Sequence, residues 1–285
     1  MHISAAILAG LVASATAACV DHAKRDETVT RCAVEEAPVE LIEASERMNV
    51  QEKALRESGI MRAQATINVD TWFHVVAASQ DVEDGYLTDQ MLQDQLAVMN
   101  ENYAPHGIQF NLVGTTRTVN ANWADYGNNA AMRRSLREGD YKTLNLYFMR
   151  TLTLNALGIC TFPTSTSTGS TTFLNDGCAV NAQTVPGGSA TDFNLGKTAT
   201  HEIGHWFGLY HTFQNGCSAS GDFVDDTPAH NDSRSGCPVG QDSCPNQPGL
   251  DPIHNYMSYS DDACYEEFTP GQQARMYSMW DTYRA

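Results

Sequence analysis

Between residues 66 and 77 the apolar positions Ile67, Val69, Phe73, Val75 and Val76 lie in a run rich in β-branched and aromatic side chains, which predicts a strand. The period then changes. Leu92, Leu96, Met99 and Tyr103 recur at helical spacing behind Thr88, a residue suited to N-capping, so a helix is expected through Asn102. Ile108, Phe110 and Leu112 alternate as a second strand, and residues 130–138 read as a short helix stopped by Gly139. Leu144, Leu146 and Phe148 alternate as a third strand. Residues 164–172 are almost all Ser, Thr and Gly and read as an exposed loop, after which residues 177–183 predict one more short strand. This order predicts an α+β fold, a mixed sheet with helices packed on it.

From residue 215 to 264 the periodicity fails. Gly, Pro, Asp and Asn dominate there, and four cysteines fall within the stretch. With so few apolar residues, the segment needs covalent staples to hold one shape. The chain closes on Thr269-Pro270-Gly271-Gln272, a capping-box pattern with proline at the first helical position. Ala274, Met276 or Tyr277, and Trp280 then give a final helix its apolar face.

The beginning of the chain is different. Residues 1–18 have the apolar centre and the small-residue end of a secretory signal peptide, with cleavage expected after Ala17 or Ala18, although the first residues lack Lys and Arg. A lipid anchor on Cys19 is the alternative, against which stands the absence of the usual preceding leucine. Residues 19–60 are acidic, with Glu35, Glu36, Glu40, Glu43 and Glu46, and Leu41, Ile42, Ala44 and Met48 form a weak helical face continuing to Leu55. The stretch reads as a pro-segment, for which Lys24-Arg25 offers a dibasic cleavage site, or as a loosely docked leader. The folded domain is expected over residues 61–285, an upper part to residue 211 and a lower part over 212–285.

Charge narrows the partners. Lys plus Arg total 17 against 34 Asp plus Glu, a net charge of -17. A cationic surface for phosphate is lacking, so nucleic acid is excluded as a partner, and so is adsorption to anionic membranes. No apolar run is long enough to span a bilayer. Eight cysteines in 285 residues point to an oxidising compartment, and a secreted protein is expected.

The chemistry concentrates in His201-Glu202-Ile203-Gly204-His205-Trp206-Phe207-Gly208-Leu209-Tyr210-His211. His201 and His205 share one helix face, a turn apart, and so offer two nitrogens to a single zinc ion. Gly208 can take the left-handed conformation that ends the helix and returns His211 as a third ligand, leaving a fourth position open. Glu202 sits one position off the ligand row, where it can serve as general base and acid toward an attacking water. Three histidines satisfied in a core is the bland alternative.

A methionine-containing turn, Asn255-Tyr256-Met257-Ser258-Tyr259, follows. With the extended histidine motif it resembles the metzincins. Within them the chain resembles the pappalysin family, in its smaller ulilysin-like and fungal extracellular metalloprotease branch, on HEIGHWFGLYH, GCSASGDFVDDTP, NYMSY and CYEEFTPGQ. The resemblance implies a secreted zinc endopeptidase acting on proteins or peptides. Its fold would be a twisted mixed β-sheet with an active-site helix and a backing helix, above an irregular disulfide-stapled lobe. Met257 would form the floor under the metal. Tyr259 would approach the metal or donate to the developing oxyanion, unless it is a core tyrosine.

The resemblance also favours Cys217 with Cys244 and Cys237 with Cys264, leaving Cys160 and Cys178 to pair with each other. Cys32 is then a candidate zymogen switch whose thiolate occupies the open zinc position; a disulfide with Cys19 or an incidental thiol is the alternative. Asp222, Asp225 and Thr227, in a carboxylate-rich loop, are candidate calcium ligands by the same resemblance, or else a solvated acidic loop. By the same resemblance Asp261 and Asp262 are candidates to line a pocket selecting a basic residue after the scissile bond, or else exposed acids beside Cys264. Asn231 begins a glycosylation sequon. A catalytically silent zinc module and a zinc hydrolase of non-peptide substrates remain the competing readings, and intact Glu202 argues against the first.

Overall fold

A computed structural model of the chain describes residues 30–33, 37–58, 65–218, 220–231 and 236–285. The readings at residues 1–18, Cys19 and Lys24-Arg25 lie outside them. In chain order the elements are β1 (Thr30–Cys32), α1 (Val39–Glu57), β2 (Ile67–Ala77), α2 (Asp89–Tyr103), β3 (Ile108–Val119), α3 (Ala121–Ala124) and α4 (Asn129–Leu136). There follow β4 (Leu144–Met149), β5 (Ala156–Cys160), α5 (Thr171–Asn175), β6 (Cys178–Asn181), α6 (Lys197–Trp206) and α7 (Pro270–Tyr283).

The strands form one mixed sheet in the order β1-β5-β6-β4-β2-β3. Every neighbour is parallel except β5 against β6. β4 lies in the interior and all of its residues are buried, as expected of a parallel strand covered on both faces. One face packs Phe73, Val75, Leu146 and Phe148 against Met99 and Tyr103 of α2, Ile203 and Trp206 of α6, and Met276 of α7. The other face buries Val76, Tyr147 and Met149 with Met132 of α4. The expected α+β architecture is present, with α2 backing α6.

Local chemistry explains the elements. Thr88 caps α2 by accepting from Met91 N, and Thr269 and Gln272 form the reciprocal capping box of α7. β3 runs well beyond Leu112 because a bulge skips Val113, so the alternation is interrupted while the pairing is not. Gly114 follows the bulge because the ring of Trp72 occupies the space a Cβ would need. Residues 164–172 are a loop only to Ser170, which caps α5 and buries Phe173.

The N-terminal segment is not a loose leader. α1 buries Leu41, Ala44, Ser45 and Glu52 against the C-terminal half, and β1 joins the sheet edge. After α6 the chain is largely irregular up to α7 and carries two disulfides, Cys217–Cys244 and Cys237–Cys264, while Cys160–Cys178 joins β5 to β6. These are the pairings the family resemblance implies. The chain end is tied to α6: Arg284 donates to both oxygens of Asp176 at 3.0 and 2.9 Å and lies 3.6 Å over the Trp206 ring, whose Nε1 donates to the same carboxylate.

Candidate active site

α6 carries the chemistry, and α2 holds it in place. Asn102 Nδ2 donates to Thr200 Oγ1 at 2.8 Å, and the Tyr103 hydroxyl donates to Thr200 O at 2.9 Å. α6 ends at Trp206, and Gly208 takes φ +87, letting Leu209 N donate back to Gly204 O. A Cβ at Gly208 would stand 2.6 Å from Met279 Cγ, so the turn requires glycine for space as well as for torsion. The reversal carries His211 back to His201 and His205.

The three imidazole Nε2 atoms lie 3.2 Å from one another. His201 Nδ1 donates to Tyr256 O and His205 Nδ1 to Leu209 O, both at 2.7 Å, which leaves their Nε2 lone pairs directed inward. Burial holds His205 down to about 4, and His201 and His211 well below the ordinary histidine value, so none carries a charge near neutrality. Facing lone pairs without protons repel; a cation between them turns the repulsion into ligation. A tetrahedral zinc at about 2.0–2.1 Å from nitrogen sets its ligands about 3.3 Å apart, a spacing that this donor set fits.

Glu202 projects beside this cluster, packed against β5. A Cβ at Gly158 would collide with its carboxylate, so only glycine admits it. Burial pushes Glu202 up to about 8, opposed by the Cys32 thiol and the Arg31 charge. Met257 is buried with its sulfur against Gly204 of α6, where any side chain would clash. Its turn is held by Asn255, which exchanges hydrogen bonds with Gln272 at the start of α7 and accepts from Met257 N.

The N-terminal segment runs beside the histidines. β1 pairs parallel with β5, Thr30 opposite Ala156 and Cys32 opposite Gly158, and Ala33 N donates to Gly158 O. Cys32 Sγ donates to Glu202 Oε2 at 3.5 Å and groups with the three histidine nitrogens within 4.8 Å. Tyr259, packed on His201 and His211, donates its hydroxyl to Cys32 O at 3.2 Å. Arg31 enters a pocket between the Phe193 and Tyr265 rings, 4.5 and 4.9 Å from their centroids, and pairs with Asp262 at 3.0 Å. Asp262 is buried and fixed from behind by Leu195 N and Lys197 N. Asp261 turns away and accepts from Gly236 N.

The other sequence candidates lie elsewhere. Asp222 is buried, pushed up to about 7 by burial, and accepts from Val224 N and Thr227 Oγ1. Asp225 pairs with Arg56 of α1. Asn231 is exposed. His254 groups with Cys237 and Cys264, which the disulfide between them removes as metal ligands. Sequence reasoning misses Arg31, whose signal is the Arg-Cys dipeptide. It also misses Gly158, for which the sequence offers no local signal.

The match to known proteins agrees with this geometry. The model of the M43 peptidase family, described as pregnancy-associated plasma protein-A, matches residues 127–281. An extracellular metalloprotease of Colletotrichum graminicola is 61% identical over 254 residues, 89% of this chain and 90% of that protein. One from Verticillium alfalfae is 60% identical over 277 residues, 96% of this chain and 98% of that protein. Among solved structures, mature mirolysin of Tannerella forsythia, in complex with a cleaved peptide, aligns with a TM-score of 0.63 at 27% identity, covering 77% of this chain and 93% of mirolysin. A buried three-histidine cluster built by a glycine-ended helix and the turn after it, bonded to a methionine-containing turn through Tyr256 O, thus stands in a chain that belongs to the M43, or pappalysin, family of metallopeptidases.

Proposed function

We propose that this extracellular zinc metalloprotease is an endopeptidase in which Glu202 moves the proton, Asp262 selects a basic residue after the scissile bond, and the N-terminal segment enforces latency. The observation that carries the reading is the convergence of three uncharged imidazoles beside a buried carboxylate that is not itself part of the cluster. His201, His205 and His211 would hold the zinc, which supplies Lewis acidity toward the scissile carbonyl and activates water for attack.

The rest is work for the chain. With β1 gone, the edge of β5 offers backbone groups to which an extended peptide can add as a strand. Glu202, as carboxylate, takes the proton of the attacking water and delivers it to the leaving amine. Tyr259 already donates to a peptide carbonyl in the cleft, that of Cys32, and would give the same hydrogen bond to the substrate oxygen as charge develops. Arg31 supports the specificity reading, because a guanidinium between two rings on a buried carboxylate is the contact a substrate Arg or Lys would make.

The same segment blocks the site. The Cys32 thiol lies among the ligands and against Glu202, so that as thiolate it would take the position the substrate needs. Calcium at Asp222, Asp225 and Thr227 is a finer reading; it requires Asp225 to exchange Arg56 for the cation, and a calcium-dependent melting temperature of the processed enzyme tests it. The mechanism is tested by Glu202→Gln. Zinc content should remain one ion per chain while peptide hydrolysis falls by at least about two decades. Full activity in this variant would sink the assignment of the proton to Glu202.

A further inference from the structure

The N-terminal segment makes a second contact, through α1, besides that of β1 and Cys32. α1 lays Leu41 against Tyr210, Phe223 and Met279, with Phe162 and Tyr283 at the border. Beside this patch lies Arg275 of α7, whose side chain is 0% exposed. Its Nε and Nη2 donate to the two oxygens of Glu52 at 3.1 and 3.0 Å, and Nη2 also reaches Ser45 O and Phe223 O. Arg56, one turn farther along α1, pairs with Asp225.

A buried guanidinium is tolerated only with a partner, and here α1 supplies it. Taking α1 away leaves that guanidinium without its carboxylate. Excision of α1 therefore uncovers an apolar patch next to an arginine that has lost its carboxylate. The surface fits a helix carrying an apolar side chain at the position of Leu41 and an acid at that of Glu52, and the helix that meets both conditions is the one seated on it.

We propose that Arg275, Tyr210, Phe223 and Met279 form a docking site separate from the metal cleft, whose ligand is the excised α1 helix of this chain. The cut pro-segment then stays bound at two points, α1 on α7 and Arg31-Cys32 in the cleft, and the linkage raises the local concentration of the inhibitory cysteine. Release needs dilution or destruction of the segment as well as cleavage. Retention in the cleft rests on the latency reading above; binding of α1 does not.

The test uses enzyme processed by its producing cells, with its N-terminus sequenced, and a fluorescent peptide of residues 37–58, which lacks Cys32. Saturable binding is expected, weakened at least about tenfold by Glu52→Gln in the peptide. Val50→Gln in the peptide should leave binding unchanged, since Val50 is 71% exposed. No binding of the unaltered peptide up to about 1 mM overturns the proposal, as does equal binding of the Glu52→Gln peptide. Active enzyme that still begins upstream of α1 overturns it too, because the face is then never vacated. A longer peptide of residues 30–58 reads the switch separately: if it binds but inhibits no better than its Cys32→Ser form, the cysteine reading fails and the docking site stands.

Discussion

Asp262 is a single side chain held by three partners at once. Its Oδ2 takes Leu195 N and Lys197 N at the entry to α6, while Oδ1 takes Arg31. Burial raises its pKa and the Arg31 charge opposes that shift, so the carboxylate is best accommodated with a cation beside it. Asp262→Asn keeps the shape and removes the charge. For peptides with Arg after the scissile bond, kcat/KM should fall at least about tenfold, while peptides with an apolar residue there change little. Equal losses on both peptides in steady-state kinetics would assign Asp262 to structure alone. Much of the site at this scale is legible in the chain, because His201, Glu202, His205 and His211 lie within one short segment and obey helix geometry. Arg31, Asp262 and Gly158 come together from three distant segments, and no spacing rule links them.

At the scale of elements, the strands that escape sequence reading are β1 and β5. β1 is three residues long and is a strand only because β5 offers it an edge. β5 follows Leu154 and Asn155, both at positive φ, so the turn before it lacks the glycine that would mark it. α1 is long but only weakly amphipathic in sequence, since one of its buried positions is Glu52, which reads as solvent-facing until Arg275 is seen.

Two packing devices between elements can be measured. Asp176 joins Trp206 of α6 to Arg284 at the chain end, and Asp176→Ala strands a buried guanidinium. Unfolding by urea should show a loss of about 3–5 kcal/mol, and an unchanged midpoint would contradict the assignment. His74 bridges β3 and β4, its Nδ1 on Thr116 and Nε2 on Asn145, and burial lowers its pKa from 6.5 to about 4. Protonation is easier in the unfolded chain, so His74 contributes stability above pH 6.5 that is lost as pH falls toward 4. Relative to a His74→Gln variant, the wild type should lose on the order of 3 kcal/mol across that interval. A stability difference constant with pH would show that His74 does not titrate there.

The whole molecule is a sheet-and-helix body joined through one glycine turn to a lobe that disulfides must hold, with the metal cluster at the junction. The site draws on both: α6 supplies His201, His205 and Glu202, the turn after it supplies His211, and the irregular lobe supplies Met257 and Tyr259. The full chain's net charge of -17 gives it a field that favours cationic peptides, the direction proposed for Asp262. The central claim is that this assembly cuts internal peptide bonds through its metal. It is tested most directly by digesting a proteome-derived peptide mixture with the processed enzyme, with and without a zinc chelator, and reading the new termini by mass spectrometry. The account predicts internal cuts that vanish with the chelator, return with zinc, and leave Arg or Lys at the new N-termini. An enzyme with zinc bound and residues 30–57 removed that makes no cuts, or makes them unchanged in chelator without bound metal, would contradict it.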